Sequence, residues 1–79
     1  MPKESVYFKT YNIKDRYDER QVKEGLDTLP GVISVSVNRE KSTLAVDYDN
    51  TGTHSGRIHN TLKLMGYDAS ISKQESHNL

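Results

Sequence analysis

The 79-residue chain contains no cysteine and no tryptophan, and its formal net charge at pH 7 is zero. Without cysteine it can form no disulfide, no thiolate metal site and no thiol nucleophile. A neutral chain lacks the sequence-independent attraction that draws basic proteins to nucleic acid or to anionic membranes. Residues 1–5 hold no apolar segment typical of a signal peptide, and no apolar run is long enough to span a membrane. We therefore expect a cytoplasmic location and no nucleic-acid or membrane partner.

The clearest local signal is the segment from Leu29 to Val37, where a helix must end and a strand begins. Pro30 cannot continue a helix, and Gly31 permits the tight turn that follows. The valines after this turn are β-branched, and Val35 and Val37 show the two-residue period of a strand. A helix that leads directly into a strand indicates helices layered on a sheet.

Hydrophobic periodicity predicts six elements in the order β-α-β-β-α-β. The strands are expected over 5–11, 32–38, 43–48 and 67–72, and the helices over about 17–29 and from the loop 49–53 to Met65. Right-handed crossovers then give an α+β, ferredoxin-like βαββαβ fold, a four-stranded antiparallel sheet with two helices on one face. The domain is expected over 5–72, with a disordered N-terminus over 1–4 and a polar C-terminal tail over 73–79.

The expected core consists of the inward positions of these elements, where Gly25 lets a neighbouring element approach the first helix. These positions are Val6, Phe8, Ile13, Val22, Leu26, Leu29, Val32, Val35, Val37, Leu44, Val46, Ile58, Leu62, Met65, Ala69 and Ile71.

Three stretches match a known family in order and spacing. They are Leu26 to Val37 around the Pro-Gly break, Leu44 to Asp49, and Ile58 to Ala69 with its Gly66-Tyr67 pair. Over about Ser5 to Ser72 the chain thus resembles the heavy-metal-associated (HMA) domain, found in small copper chaperones and at the N-termini of metal-pumping P-type ATPases. The resemblance implies the ferredoxin-like fold and a non-enzymatic role. It also implies a protein partner, such as a metal-transporting ATPase or another HMA-like domain.

The loop after the first strand departs from the family pattern. In the resemblance, Ile13 stands at the methionine of the Met-x-Cys-x-x-Cys metal motif, and Asp15 and Asp18 stand at the two cysteines. Soft Cu(I) requires sulfur ligands, and the only sulfur atoms of this chain belong to its two methionines. The sequence therefore argues against Cu(I) binding, and we expect no cofactor.

Asp15 and Asp18 allow two interpretations. The first is helix capping, because Asp18 at the N-cap and Gln21 three residues later have the spacing of a capping box. The second is a divalent metal site of two carboxylates, completed by Tyr67, backbone carbonyls or a histidine. Arg16 lies between the aspartates and opposes a bound cation.

The three histidines do not favour a metal site. His54 and His59 are five positions apart, which does not place them on one helical face, and His77 lies in the expected tail. We expect all three to be solvent-exposed, although a site that includes His77 stays open.

A small apolar surface is expected beside the loop. Leu64 lies off the apolar stripe of the second helix, and the resemblance places Tyr67 near the loop and Tyr17. Family members dock onto partners through this surface, so Tyr17, Leu64 and Tyr67 form the predicted partner surface.

Three functions follow from these observations. The first hypothesis is a protein-interaction or regulatory module that has lost the thiolate site, and the alternative is a metal-ion-binding or transport domain that uses Asp15 and Asp18. A remote alternative is an RNA-binding sheet with Tyr7, Lys9 and Tyr11 on its open face, which zero net charge disfavours. No nucleophile and base are paired by spacing, so we expect no enzyme. The edge strands are poorly protected, which allows a monomer or a weak homodimer.

Overall fold

The computed structural model describes residues 3–77 and contains the six predicted elements in the predicted order. They are β1 (Lys3–Thr10), α1 (Arg16–Asp27), β2 (Val32–Asn38), β3 (Thr43–Asp49), α2 (Ser55–Leu64) and β4 (Ala69–His77). The strands form one antiparallel sheet in the order β2-β3-β1-β4, which confirms the ferredoxin-like α+β fold. Neither helix of this described part has the length and apolar character needed to cross a membrane.

The core lies between one face of the sheet and the two helices. Its nine buried side chains are Val6, Phe8, Val22, Leu26, Leu44, Val46, Tyr48, Ile58 and Leu62. Half-buried residues packed against them include the predicted Ile13, Leu29, Val32, Val35, Val37, Met65 and Ala69. The prediction is therefore confirmed for all but one of its core positions, and Tyr48 joins the fully buried set.

Ile71 is the exception, because its side chain is 42% exposed. The register of β4 against β1 shifts beside Phe8, and β4 lies at an edge of the sheet.

The prediction that His59 is exposed is also wrong, because its side chain is half-buried. Its ring contacts the ring of Phe8, with the two centroids 5.7 Å apart. Its Nε2 lies 2.7 Å from the carbonyl oxygen of Ala69.

Strand β4 is longer than its apolar pattern indicates. Residues 73–77 continue the ladder with β1, so that Lys3 pairs with His77 and Glu4 with Ser76. Gln74 Nε2 donates to Tyr48 Oη (3.0 Å) and to Glu4 Oε1 (3.1 Å), which gives this polar segment partners at the sheet edge. The strands thus extend beyond the expected domain bounds of 5–72, to residues 3–4 and 73–77, and the other positions of the expected disordered N-terminus and tail lie outside the described residues.

The corner between α1 and β2 packs against the loop that follows β3. Gly31 has a φ of +93°, and a Cβ at this position would lie 2.9 Å from the Cα of Gly52. The carbonyl of Gly31 accepts from the amide of Asp49 at 2.7 Å. Both glycines are therefore required sterically, and Gly31 is also required for its backbone conformation.

Candidate functional site

The loop between β1 and α1 is fastened to the turn between α2 and β4. The Nδ2 of Asn12 donates to the carbonyl of Gly66 (2.9 Å), and its Oδ1 accepts from the amide of Asp68 (2.8 Å). The amide of Tyr11 donates to the carbonyl of Asp68 at 3.1 Å. These bonds bring two loops that are far apart in sequence to the same end of the molecule.

Asp15, not Asp18, is the N-cap of α1. Its backbone is extended (φ −145°), and its Oδ1 accepts from the amide of Asp18 at 2.9 Å. Asp18 is the third helical residue, and its Oδ2 accepts from the amide of Lys14 at 3.0 Å. A carboxylate therefore caps the helix as predicted, but the capping residue is Asp15, three positions before the predicted Asp18. The sequence contains two overlapping cap patterns, because acidic or amide residues stand at positions 15, 18 and 21.

The second oxygen of Asp18 is also engaged. Tyr67 Oη donates to Asp18 Oδ1 at 2.9 Å, joining positions 49 residues apart. The Lys14 amide and then the Tyr67 hydroxyl hold the pKa of Asp18 below its ordinary value. Burial and the bond to Asp18 raise the pKa of Tyr67 to about 12. Tyr67 is thus a neutral donor, and Asp18 a charged acceptor, at neutral pH.

The two aspartates offer oxygen ligands only, and most of these oxygens are already engaged. Both oxygens of Asp18 and one of Asp15 accept hydrogen bonds from the chain itself. Over residues 3–77, no three side chains of the His, Cys, Asp or Glu types are grouped to hold a metal ion. With no thiolate and with these carboxylates engaged, the residues do not fit a soft ion such as Cu(I).

The histidines have other structural positions. His54 is exposed, as predicted, and caps α2 by accepting at Nδ1 from the amide of Arg57 (3.2 Å). His59 is directed to the carbonyl of Ala69. The side chain of His77 lies outside the described part of the chain, so a metal site that includes His77 stays a prediction.

Tyr17 and Tyr67 line a surface groove of about 370 Å³ between α1 and the end of α2. The other lining residues are Gln21, Glu24, Gly25 and Met65. Leu64 is 80% exposed and Tyr17 is 67% exposed, but Leu64 is not one of the lining residues. We call this feature the tyrosine groove. The structure thus brings Tyr17 and Tyr67 to one concave surface, whereas Leu64 is exposed but does not line that surface.

Gln21 and Glu24 are groove residues that the sequence analysis did not select. Together with Tyr17 they follow helical i, i+4, i+7 spacing, so one face of α1 carries all three. This spacing is the signal that the sequence offers for the groove. A polar stripe containing one tyrosine is, however, indistinguishable from an ordinary solvated face.

Comparisons with known proteins extend the geometric evidence. The N-terminal domain of a potential copper-translocating P-type ATPase from Bacillus subtilis, solved in its Cu(I)-loaded state, is 16% identical, with TM-score 0.85 over 100% of this chain and 95% of that chain. Oxidized MerP from Ralstonia metallidurans CH34 is 20% identical, with TM-score 0.83 over 90% and 99%. The CopZ metallochaperone is 21% identical, with TM-score 0.80 over 84% and 98%. These likenesses show a shared fold.

Sequence comparison identifies the family. No curated protein gives a significant match to the chain. The family model of the heavy-metal-associated domain matches residues 19–68, from the first turn of α1 to the start of β4, and so begins just after Asp15 and Asp18. Because this match covers more than half of the chain, the protein belongs to the heavy-metal-associated domain family.

Proposed function

We propose that this chain is a non-enzymatic protein-interaction or regulatory module built on the HMA scaffold, with the thiolate metal site lost. The observation that carries this proposal is the engagement of Asp18 by Lys14 and Tyr67 at 3.0 and 2.9 Å. Hydrogen bonds within the protein hold the loop at the position where the family places a metal ligand. The scaffold therefore needs no ion to order this end of the molecule. The proposal includes the sequence-based expectation of a cytoplasmic location.

The proposed partner is another protein, either a metal-transporting ATPase or another HMA-like domain. The structural neighbours include an ATPase N-terminal domain and a metallochaperone, which supports this class of partner. The proposed contact surface is Tyr17, Leu64 and Tyr67 around the tyrosine groove. Tyrosine is among the residue types enriched in the anchors of protein interfaces, and Tyr17 and Leu64 are both largely exposed.

The test compares two variants against the same partners. The surface variant is Tyr17→Ser/Leu64→Ser, and the matched control is Ile33→Ser, which removes an exposed apolar side chain (50%) from a different surface. Each chain is immobilised and exposed to purified HMA domains that retain their cysteines, and to a lysate of the source cells. We expect partners that bind the wild-type chain and the control but not the surface variant. Partners that bind the surface variant as well as the wild type would overturn the proposal.

Binding of a divalent metal ion by Asp15 and Asp18 is the second candidate function. It is supported by the closeness of the two carboxylates, since Asp15 Oδ1 lies 2.9 Å from the amide nitrogen of Asp18. Such an ion must displace the bond from Tyr67 or from the amide of Lys14. This competition makes the candidate weaker than the first, and the titration that ends the Discussion separates the two.

A further inference from the structure

The two edges of the sheet differ in how they are protected. The sheet order places β2 at one edge and β4 at the other. An edge strand presents backbone N–H and C=O groups to any extended chain, and charges, prolines and bulges are the usual protection. Strand β4 carries Lys73, Glu75 and a register shift beside Phe8. Strand β2 has the sequence VISVSVN, without charge or proline, and its own irregularity is confined to Ile33.

The regular part of β2, residues 34–38, offers a uniform edge for pairing. Ser34, Ser36 and Asn38 are exposed on the open face of the sheet, and Val35 and Val37 are half-buried on the helix face. Small hydroxyl or amide groups thus lie on one side of the edge and β-branched apolar groups on the other. β-branched residues without intervening charge favour strand pairing.

We propose that a second copy of this chain pairs with β2, antiparallel and centred on Ser36. In this two-fold register Ser36 faces its own copy, Val35 faces Val37, and Ser34 faces Asn38. Each pair matches in size and polarity, because valines pack on valines and hydroxyls meet hydroxyl or amide groups. The two sheets join into one continuous eight-stranded sheet.

The lack of charge favours a second copy of this chain as the partner of the β2 edge. The whole chain has zero formal net charge, so two copies do not repel each other. Within residues 34–38 no charged side chain faces another across the axis. Arg39, which follows the strand, is already paired with Glu19 of α1 at 3.2 Å. A self-complementary, uncharged edge on a neutral protein therefore selects its own copy over a strongly charged peptide.

The contact is smaller than a standard protein interface. Five residues from each copy, with the exposed Ile33 beside them, bury an area below the roughly 1,200 Å² of a standard interface. The dimer is accordingly weak and reversible, and it forms at high protein concentration. It uses a different surface from the tyrosine groove and so is independent of the proposed function.

The absence of cysteine makes the register directly testable. Ser36→Cys introduces a single thiol on the axis, where opposed Cα atoms of antiparallel strands are about 4.5–5.5 Å apart and within disulfide range. We expect this variant to form a covalent dimer under mild oxidation at least about tenfold faster than Ser70→Cys, an exposed position on the β4 edge. Equal rates for the two variants would overturn the assignment.

A charge swap provides the second measurement. Ser36→Lys and Ser36→Glu place like charges opposite each other in a homodimer but opposite charges in a mixed dimer. By sedimentation velocity at about 1 mM, a concentration that reveals weak complexes, we expect association of the wild type, monomers of each variant, and restored association in the mixture. The Tyr17→Ser/Leu64→Ser variant keeps wild-type association. A monomeric wild type, or variants that associate unaltered, would refute the pairing, and amide NMR spectra establish that each variant is folded.

Discussion

At the scale of single residues, the Asp18–Tyr67 pair is the contact that joins the loop before α1 to the turn after α2. Asp18 occupies the position that the resemblance gives to a cysteine ligand, and it accepts from Tyr67 and from the backbone of Lys14. A carboxylate with both oxygens engaged orders the loop through charge-assisted hydrogen bonds. Tyr67 of this pair also lines the tyrosine groove.

Removal of the tyrosine hydroxyl should raise the pKa of Asp18 toward its ordinary value. In Tyr67→Phe the carboxylate loses the side-chain hydrogen bond that, after the bond from the Lys14 amide, most favours its charged form. The measurement is an NMR pH titration of the Asp18 carboxyl carbon. Tyr17→Phe is the matched control, because Tyr67 rather than Tyr17 donates to Asp18. An unchanged Asp18 titration in Tyr67→Phe would show that the bond is not formed in solution.

The same pair gives stability a dependence on pH. The pKa of Asp18 is lower in the folded chain than its ordinary value of 3.8, so its contribution is present above that value and is lost as pH falls through the folded pKa. The pKa of Tyr67 is raised from 10.0 to about 12, so its contribution is lost as pH rises through this range. In urea unfolding, the free energy of unfolding of Tyr67→Phe should therefore fall less than that of the wild type, both at acidic pH and at strongly alkaline pH.

At the scale of elements, the start of α1 depends on Asp15. Asp15→Ala removes the acceptor of the Asp18 amide and should lower the free energy of unfolding by about 1 kcal/mol. Asp15→Asn is the matched control, since asparagine caps helices about as well while removing the charge. Urea unfolding should therefore separate the two variants. A large effect of Asp15→Asn would mean that the charge, and not the cap, is what matters.

The α1–β2 corner provides a second test at this scale, because Gly31 in the corner and Gly66 outside it have nearly the same φ angle. Gly31 and Gly66 have φ values of +93° and +91°, but a Cβ at Gly66 meets nothing within 4 Å. Gly66→Ala should cost about 1–2 kcal/mol from backbone strain alone. Gly31→Ala adds the collision with Gly52 and should cost roughly 2–5 kcal/mol in urea unfolding. If the two substitutions lowered the free energy of unfolding equally, the backbones of Gly31 and Gly52 would not be in close contact in solution.

At the scale of the whole molecule, the sequence predicts the fold because apolar side chains mark five of the six elements by their period. Strand β4 is the weakest case, because residues 73–77 are polar and join the sheet through the backbone ladder with β1. Ile71 was assigned inward by its period, but a register shift on an edge strand overrides that period.

The site was less predictable for a different reason. Its central contact joins Asp18 to Tyr67 across 49 positions, and no local pattern encodes such a contact. The spacing rule is satisfied by two overlapping pairs, Asp15 with Asp18 and Asp18 with Gln21, and only the backbone geometry selects Asp15 as the cap. Local chemistry thus predicted the type of interaction, and tertiary contacts decided which residues form it.

The scaffold itself should still accept a soft metal once its sulfur ligands are supplied. Asp15→Cys/Asp18→Cys places two thiolates at the positions that the resemblance assigns to ligands, and we expect this variant to gain saturable Cu(I) and Zn(II) binding. Isothermal titration calorimetry under reducing conditions measures the gain against the wild type. Failure of the folded double variant to bind either ion would mean that the loop has diverged in more than its ligands.

Whether hydrogen bonds replace a metal in this loop can be measured by an amide-resolved NMR titration of the wild-type chain with Zn(II), Mn(II), Mg(II) and Cu(I). We expect no saturable shift over residues 14–19 and 66–68 with any of these ions, in a spectrum that stays well dispersed. Saturable changes confined to these two segments, and absent from Asp15→Asn/Asp18→Asn, would instead show that the carboxylates form a working metal site.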